Sequence, residues 1–298
     1  MKENDIKLED ILLRIIDNDQ KLRVFAAETT ELVEAARKTH HLSPVATAAL
    51  GRTLTAGAMM GVMLKNSRDK LTIQIKGEGP LGGIVISSNS KAKVKGYVYN
   101  PEVYLPPNQY EKLDVGGAVG KNGYMNVIKD LGLKEPYIGY VPLVSGEIGE
   151  DLSLYFLKSE QTPAIVAVGV LVEKTGEVIA SGGFIVQVMP KAEDAIIEKL
   201  ENNLKQLKSL TTYLAEGTRI KEIVEKVTGN TKMQVLDTIK PEYICDCSRE
   251  RMEKAIITLG EEELNNILES QGKVEIECHF CLNKYTFIRD DIEEIFSH

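Results

Sequence analysis

All four cysteines of the chain fall in its last 54 residues, two in ICDCSRERM and two in ECHFC. Cys245 and Cys247 stand one residue apart, Cys278 and Cys281 two apart, and thirty residues separate the pairs. Zinc takes four soft ligands in a tetrahedron, and thiolates supply them well as two closely spaced pairs. Cys245, Cys247, Cys278 and Cys281 are therefore the candidate ligands for one zinc ion per chain. His279 lies inside the second pair, but four sulfurs already complete the shell. Sulfur held by zinc is thiolate, the form that oxidants attack, so a clamp of this kind is also reactive. Each pair is near enough in sequence to close on itself, although Cys245 to Cys247 would make a tight, strained ring. Two blander readings fail on pattern. Metal-free core thiols would be scattered rather than paired, and lasting disulfides belong to oxidising compartments.

The thirty intervening residues must bring the pairs together. A helix from Ser248 carries Met252, Ala255, Ile256 and Leu259 on one face and stops at Gly260. A second runs from Glu261 with Leu264, Ile267 and Leu268 and ends near Gly272. KVEIECHFCLNKYTFI then alternates as two strands with the C-x-x-C at their turn. A tail of this size, residues 241–298, is too small to rest on its apolar core, so metal binding should carry much of its folding free energy. The tail is also acidic. It holds six Lys or Arg against fourteen Asp or Glu, which accounts for the net charge of −8 of the whole chain. Such a surface repels phosphate backbones, so no nucleic-acid partner is expected.

Upstream, 298 residues suggest about two domains. The N-terminal MKENDIKLEDILLRIIDNDQ is charged from its second residue and does not fit a secretory signal. No apolar run is long enough to span a membrane, so the expectation is a cytoplasmic protein without a membrane partner. Lys21–Ala26 reads as a strand and Thr29–Thr39 as a helix. Pro44 opens a helix through ATAALGRTLTAGAMMGVML that is apolar almost all round, hence buried. LTIQIKGEGPLGGIVISSN, KAKVKGYVYNP and AIVAVGVLVEKTGEVIASGGFIVQV alternate as strands with glycine turns, and Glu147–Ser159 reads as a helix. From Lys191 to about Gly229 the period becomes helical, with Gly217 as an interruption. The fold class expected is α+β. An antiparallel-sheet domain with helices spans residues 1–190, a helical linker 191–240, and a small zinc-binding domain 241–298.

Other motifs do not survive their context. Gly77, Gly79 and Gly82 spell G-x-G-x-x-G, but Ile84, Val85 and Ile86 follow where a dinucleotide site needs a helix, so a hairpin turn is expected. Gly116–Lys121 is one residue short of a phosphate loop, and Asn122 replaces its magnesium-binding hydroxyl. His40, His41 and His298 read as capping or surface residues, and no nucleophile elbow or paired-histidine helix occurs. No catalytic residue is assigned.

CDCSRER, followed thirty residues after its second cysteine by CHFC, resembles the zinc centre of the 33-kilodalton heat-shock chaperone family of bacteria. LSPVATAALGRTL, GEGPLGGI, VKGYVYNP and VPLVSGEIGEDLSLYF resemble segments of that family's N-terminal domain, so the likeness runs over nearly the whole chain. The resemblance implies a redox-regulated, ATP-independent holdase and not an enzyme. It implies that the reduced, zinc-bound form is inactive. Oxidants would then make two disulfides, Cys245–Cys247 and Cys278–Cys281, with loss of zinc. Tail and connector would lose structure, and a homodimer would bind unfolding client proteins. A connector with an apolar stripe must be covered when the switch is off, which makes Ile196, Leu200, Leu204 and Leu207 the candidate client contacts. Two rivals remain: a zinc ribbon that binds nucleic acid, and a thiol-disulfide oxidoreductase using Cys278 and Cys281. The acidic tail speaks against the first, and a C-x-x-C away from any strand-to-helix start against the second. Both leave the first 190 residues unexplained.

Overall fold

The computed structural model of the chain describes residues 9–190, 192–193 and 195–296. The first eight residues of the N-terminal stretch, Lys191 at the head of the connector, and His298 lie outside them.

Strands β1 (Ile11–Asp17) and β2 (Leu22–Glu28) lead into helices α1 (Thr30–His40) and α2 (Pro44–Gly61). Strands β3 (Lys70–Lys76), β4 (Ile84–Asn89) and β5 (Lys93–Val98) precede the short helix α3 (Val115–Val119). Then come β6 (Tyr124–Asp130), β7 (Tyr137–Pro142), α4 (Gly149–Lys158), β8 (Ala164–Val172) and β9 (Val178–Val188). Helices α5 (Ala195–Lys205), α6 (Leu210–Ala215) and α7 (Ile220–Val227) with strands β10 (Met233–Ile239) and β11 (Glu242–Tyr243) complete one compact unit, Met1–Tyr243. A second unit, Ile244–His298, holds α8 (Arg249–Ile257), α9 (Glu261–Gln271), β12 (Val274–Glu277), β13 (Lys284–Phe287) and α10 (Arg289–Phe296).

Among the described residues the first unit has two sheets, ordered β10-β1-β2-β9-β8 and β11-β5-β4-β3-β6-β7. Every pairing is antiparallel except β11 on β5. The α+β class read from the alternation is the class observed. α2 lies between the sheets and packs against β8 and β9 on one side and β3 to β5 on the other. Its sequence allows this. Pro44 sits at the first helical position, the Ser43 hydroxyl accepts from Ala46 N–H, and almost every side chain after that is apolar and buried. No described helix is long and apolar enough to cross a membrane, α2 included.

The glycine motif is a packing device. Gly77, Gly79 and Gly82 lie in the turn from β3 to β4, as the β-branched residues after them predict. A Cβ on Gly77 would stand 2.0 Å from the Val119 carbonyl oxygen, and one on Gly79 2.3 Å from that of Ala118. Those carbonyls accept the N–H groups of Gly79 and Leu81, so the donors a phosphate would need are already taken.

The connector differs from a single helical run. Ser209 caps α6 by accepting from Thr212 N–H, Gly217 turns the chain at φ +86°, and residues 233–239 form β10 along β1. Leu200, Ile220, Ile223, Val224 and Val227 are buried with Leu13, Ile15, Val24, Phe184 and Val186 of the five-stranded sheet. Ile196, Leu204 and Leu207 pack against the same cluster. The apolar stripe is thus covered here by β1, β2 and β9.

Candidate metal centre

Each half of CDCSRERM has a mechanical task. The Ser248 hydroxyl accepts from Arg251 N–H and starts α8 directly after Cys247. Arg251 turns back, donates from Nη1 to the Asp246 carbonyl at 2.8 Å and pairs with Asp246 Oδ2 at 2.5 Å. The residue between the two cysteines is thereby held and the C-x-C arc is fixed. α9 begins after Gly260 and ends on Gly272, whose φ of +73° reverses the chain into β12. Glycine adopts that left-handed turn at no steric cost.

β12 and β13 pair from Val274↔Phe287 to Glu277↔Lys284, which leaves Cys278 to Asn283 as the turn. Cys278 N–H donates to the Asn283 carbonyl, while Cys281 and Leu282 N–H both donate to the Cys278 carbonyl. These bonds aim Cys278 and Cys281 toward the same side. Beneath them a small core of Ile256, Leu264, Leu268, Val274, Phe287 and Ile292 joins both helices, the hairpin and α10.

The result is a four-sulfur cluster. The Sγ atoms of Cys245, Cys247, Cys278 and Cys281 all lie within 4.8 Å of one another. Cys245 and Cys278 are 3.7 Å apart, Cys247 and Cys281 3.3 Å, and all four are free of disulfide. Zinc–sulfur bonds of about 2.3 Å in a tetrahedron put the sulfurs about 3.8 Å apart. The donor set therefore fits a tetrahedral, thiophilic cation in both number and spacing. His279 is not part of the cluster.

Electrostatics points the same way. Burial pushes the Cys281 thiol up, and its hydrogen bonding with Cys247 and the other sulfurs adds to this. At Cys247 burial also raises the pKa, but hydrogen bonds from Tyr285 and the other thiols outweigh it and lower it. Within so small a cluster one negative charge is welcome and further ones repel. A divalent cation at the centre removes that conflict and lets every thiol ionise. Tyr285 went unnoticed in the sequence. Its hydroxyl lies 3.1 Å from Cys247 Sγ, and that contact first, with desolvation second, pushes its own pKa up to about 12.

Comparison with known proteins agrees with the architecture. A family model described as Hsp33 protein matches residues 10–288. The 33 kDa chaperonin of Ruminiclostridium cellulolyticum is 50% identical over 286 residues, covering 96% of this chain and 97% of that protein. That of Acetivibrio thermocellus is 48% identical over 285 residues, covering 96% of each. The crystal structure of the 33 kDa chaperonin of Thermotoga maritima superposes with a TM-score of 0.89 at 38% identity, covering 97% of this chain and 98% of that one. With a family model matched from the first sheet to the end of the cysteine hairpin, the chain belongs to the Hsp33 family of chaperones.

Proposed function

We propose that the chain is a redox-switched, ATP-independent holdase whose four cysteines hold one zinc ion in the inactive state. The observation that carries this is the convergence of four sulfurs from two segments thirty residues apart in a 55-residue unit, Ile244–His298, into one cluster. Zinc, when bound, keeps the sulfurs as thiolates and ties the C-x-C arc to the hairpin turn. Without that tie the unit depends on an apolar cluster with six buried hydrophobic side chains among the described residues. A core of this size rarely supplies more than about 3–5 kcal/mol.

The cysteines then act as the trigger. Cys245 joins Cys247 and Cys278 joins Cys281, and each new S–S bond delivers two electrons to the oxidant. With peroxide, two thiolates and two protons per bond yield two waters. The second unit and the helices of residues 195–227 lose order, and the stripe of Ile196, Leu200, Leu204 and Leu207 becomes available to unfolding proteins. The active form is a homodimer that acts in the cytoplasm, with neither nucleic acid nor membrane as partner.

The test pairs zinc content with free-thiol count and light scattering from an aggregating client. Peroxide with mild heating is expected to release one zinc per chain, consume four thiols and switch on suppression. Equal suppression by the reduced, zinc-loaded chain would sink the redox switch.

A further inference from the structure

Tyr285 lies on β13, four residues past Cys281, and pairs across the hairpin with Ile276. Its ring packs against the core of the second unit, while its hydroxyl reaches Cys247 Sγ on the far side of the cluster at 3.1 Å. The contact therefore joins the hairpin half of the centre to the C-x-C half through a side chain that is not itself a ligand. A zinc-held sulfur carries no proton, so within the proposed centre the hydroxyl is the donor. A hydrogen bond to a thiolate draws charge from the sulfur and occupies one of its lone pairs. Nucleophilic attack needs that same electron density.

We propose that Tyr285 is a positioning residue that shields Cys247, setting how much oxidant the C-x-C half of the centre withstands before it fires. This rests on the redox reading above. In the first chemical step a cysteine thiolate attacks one oxygen of hydrogen peroxide. The O–O bond breaks and hydroxide leaves, giving a sulfenic acid. The partner thiolate then attacks that sulfur, the S–S bond forms, and a second hydroxide leaves. The two cysteines have lost two electrons and the peroxide has gained them. When Cys247 is either nucleophile, the O–H···S bond of Tyr285 must first loosen, and the step slows. Cys278 and Cys281 have no such contact with Tyr285 among the hydrogen bonds of the described residues, so their oxidation should be less sensitive to it.

Tyr285→Phe removes the hydroxyl and keeps the ring that packs on the core. Reduced, zinc-loaded full-length chains would be treated with peroxide, quenched at intervals with isotopic alkylating tags, and read cysteine by cysteine by mass spectrometry. Cys247 is expected to oxidise about three- to tenfold faster in the variant, the size expected for losing a hydrogen bond to a charged sulfur. Cys278 and Cys281 should stay within about twofold, and zinc should be surrendered more readily to a chromophoric chelator. An unchanged Cys247 rate overturns the proposal, as does equal acceleration of all four sulfurs, which would mean a loosened hairpin. Should the Phe variant fold poorly, Tyr285→3-fluorotyrosine decides, since it keeps ring and hydroxyl and strengthens the donor. Cys247 should then oxidise more slowly than in wild type, and an equal or faster rate refutes the shield. A wild-type chain that loses no zinc to peroxide would instead refute the switch itself.

Discussion

Arg249 contributes more to the second unit than its exposed position suggests. Its guanidinium stacks on Phe287 at 4.3 Å, donates from Nη1 to the Thr286 carbonyl, and pairs with Asp291 at 2.8 Å and Glu253 at 3.6 Å. One side chain thus fastens the helix after the C-x-C to the strand after the C-x-x-C and to α10. Lysine could not repeat this, because the flat guanidinium stacks and bonds in one plane. Surface ion pairs alone add little, so the stacking and the carbonyl bond should dominate. Arg249→Ala is expected to cost about 1–2 kcal/mol of order in this unit. Because folding and metal binding are coupled there, zinc affinity should fall about tenfold in a chelator competition. Affinity within twofold of wild type would mean that the sulfurs position themselves. Neither Arg249 nor Tyr285 could be singled out from the sequence, because the partners that matter, Thr286, Phe287 and Asp291 for the first and Cys247 for the second, lie more than thirty residues away and follow no period.

At the scale of elements, Glu34 fixes α1 to β9. Its carboxylate accepts two bonds from Arg37, both 2.7 Å, and one from Val178 N–H at 3.2 Å. The Arg37 bonds are the main reason its pKa falls from 4.5 to about 2, against the opposing effect of burial. A carboxyl lowered on folding stabilises the protein above its unfolded pKa, and the contribution is lost as pH falls toward the folded value. After allowance for solvent screening, Glu34→Gln is expected to cost about 1–2 kcal/mol at pH 7. In urea denaturation of the chain, the gap from wild type should shrink between pH 4.5 and 2. A gap that does not vary with pH would show that the carboxylate charge is irrelevant. α2 was legible in the sequence because an opening proline and an almost all-round apolar character coincide from Pro44 onward. The hairpins were legible because glycine turns separate alternating runs. β10 was not, since Gln234 to Thr238 are all exposed on an edge strand and leave no alternation to detect. β1 was missed for a related reason, its apolar residues being interrupted by Arg14 and preceded by charge. The four ligand candidates could be named from spacing, but not the cross-neighbour contacts of Cys245 with Cys278 and Cys247 with Cys281, which depend on how α8 and α9 return the chain.

Across the whole molecule, stability should be graded from the middle of the first unit outward. α2 is enclosed by both sheets and nearly all of it is buried. α5 buries only Leu200 completely and α6 buries none of its residues, while α7 adds Ile220, Ile223, Val224 and Val227. What holds α7 down is partly polar. Glu28, only 6% exposed, accepts from Arg219 Nε at 2.9 Å and from Ile220 N–H at 2.8 Å. With so little of α5 and α6 fully buried, this layer lies nearer the low end of local opening free energies than α2 does. Hydrogen exchange of the full chain, before and after peroxide with mild heating, should resolve the order. Amides of residues 244–296 are expected to lose protection first and those of 195–227 next, with α2, β2 and β9 still protected. Simultaneous loss in α2 would mean that the molecule opens as one piece, which would leave no folded platform for a holdase. Retained protection over 195–227 would keep Ile196, Leu200, Leu204 and Leu207 covered, and the client surface would have to be sought elsewhere.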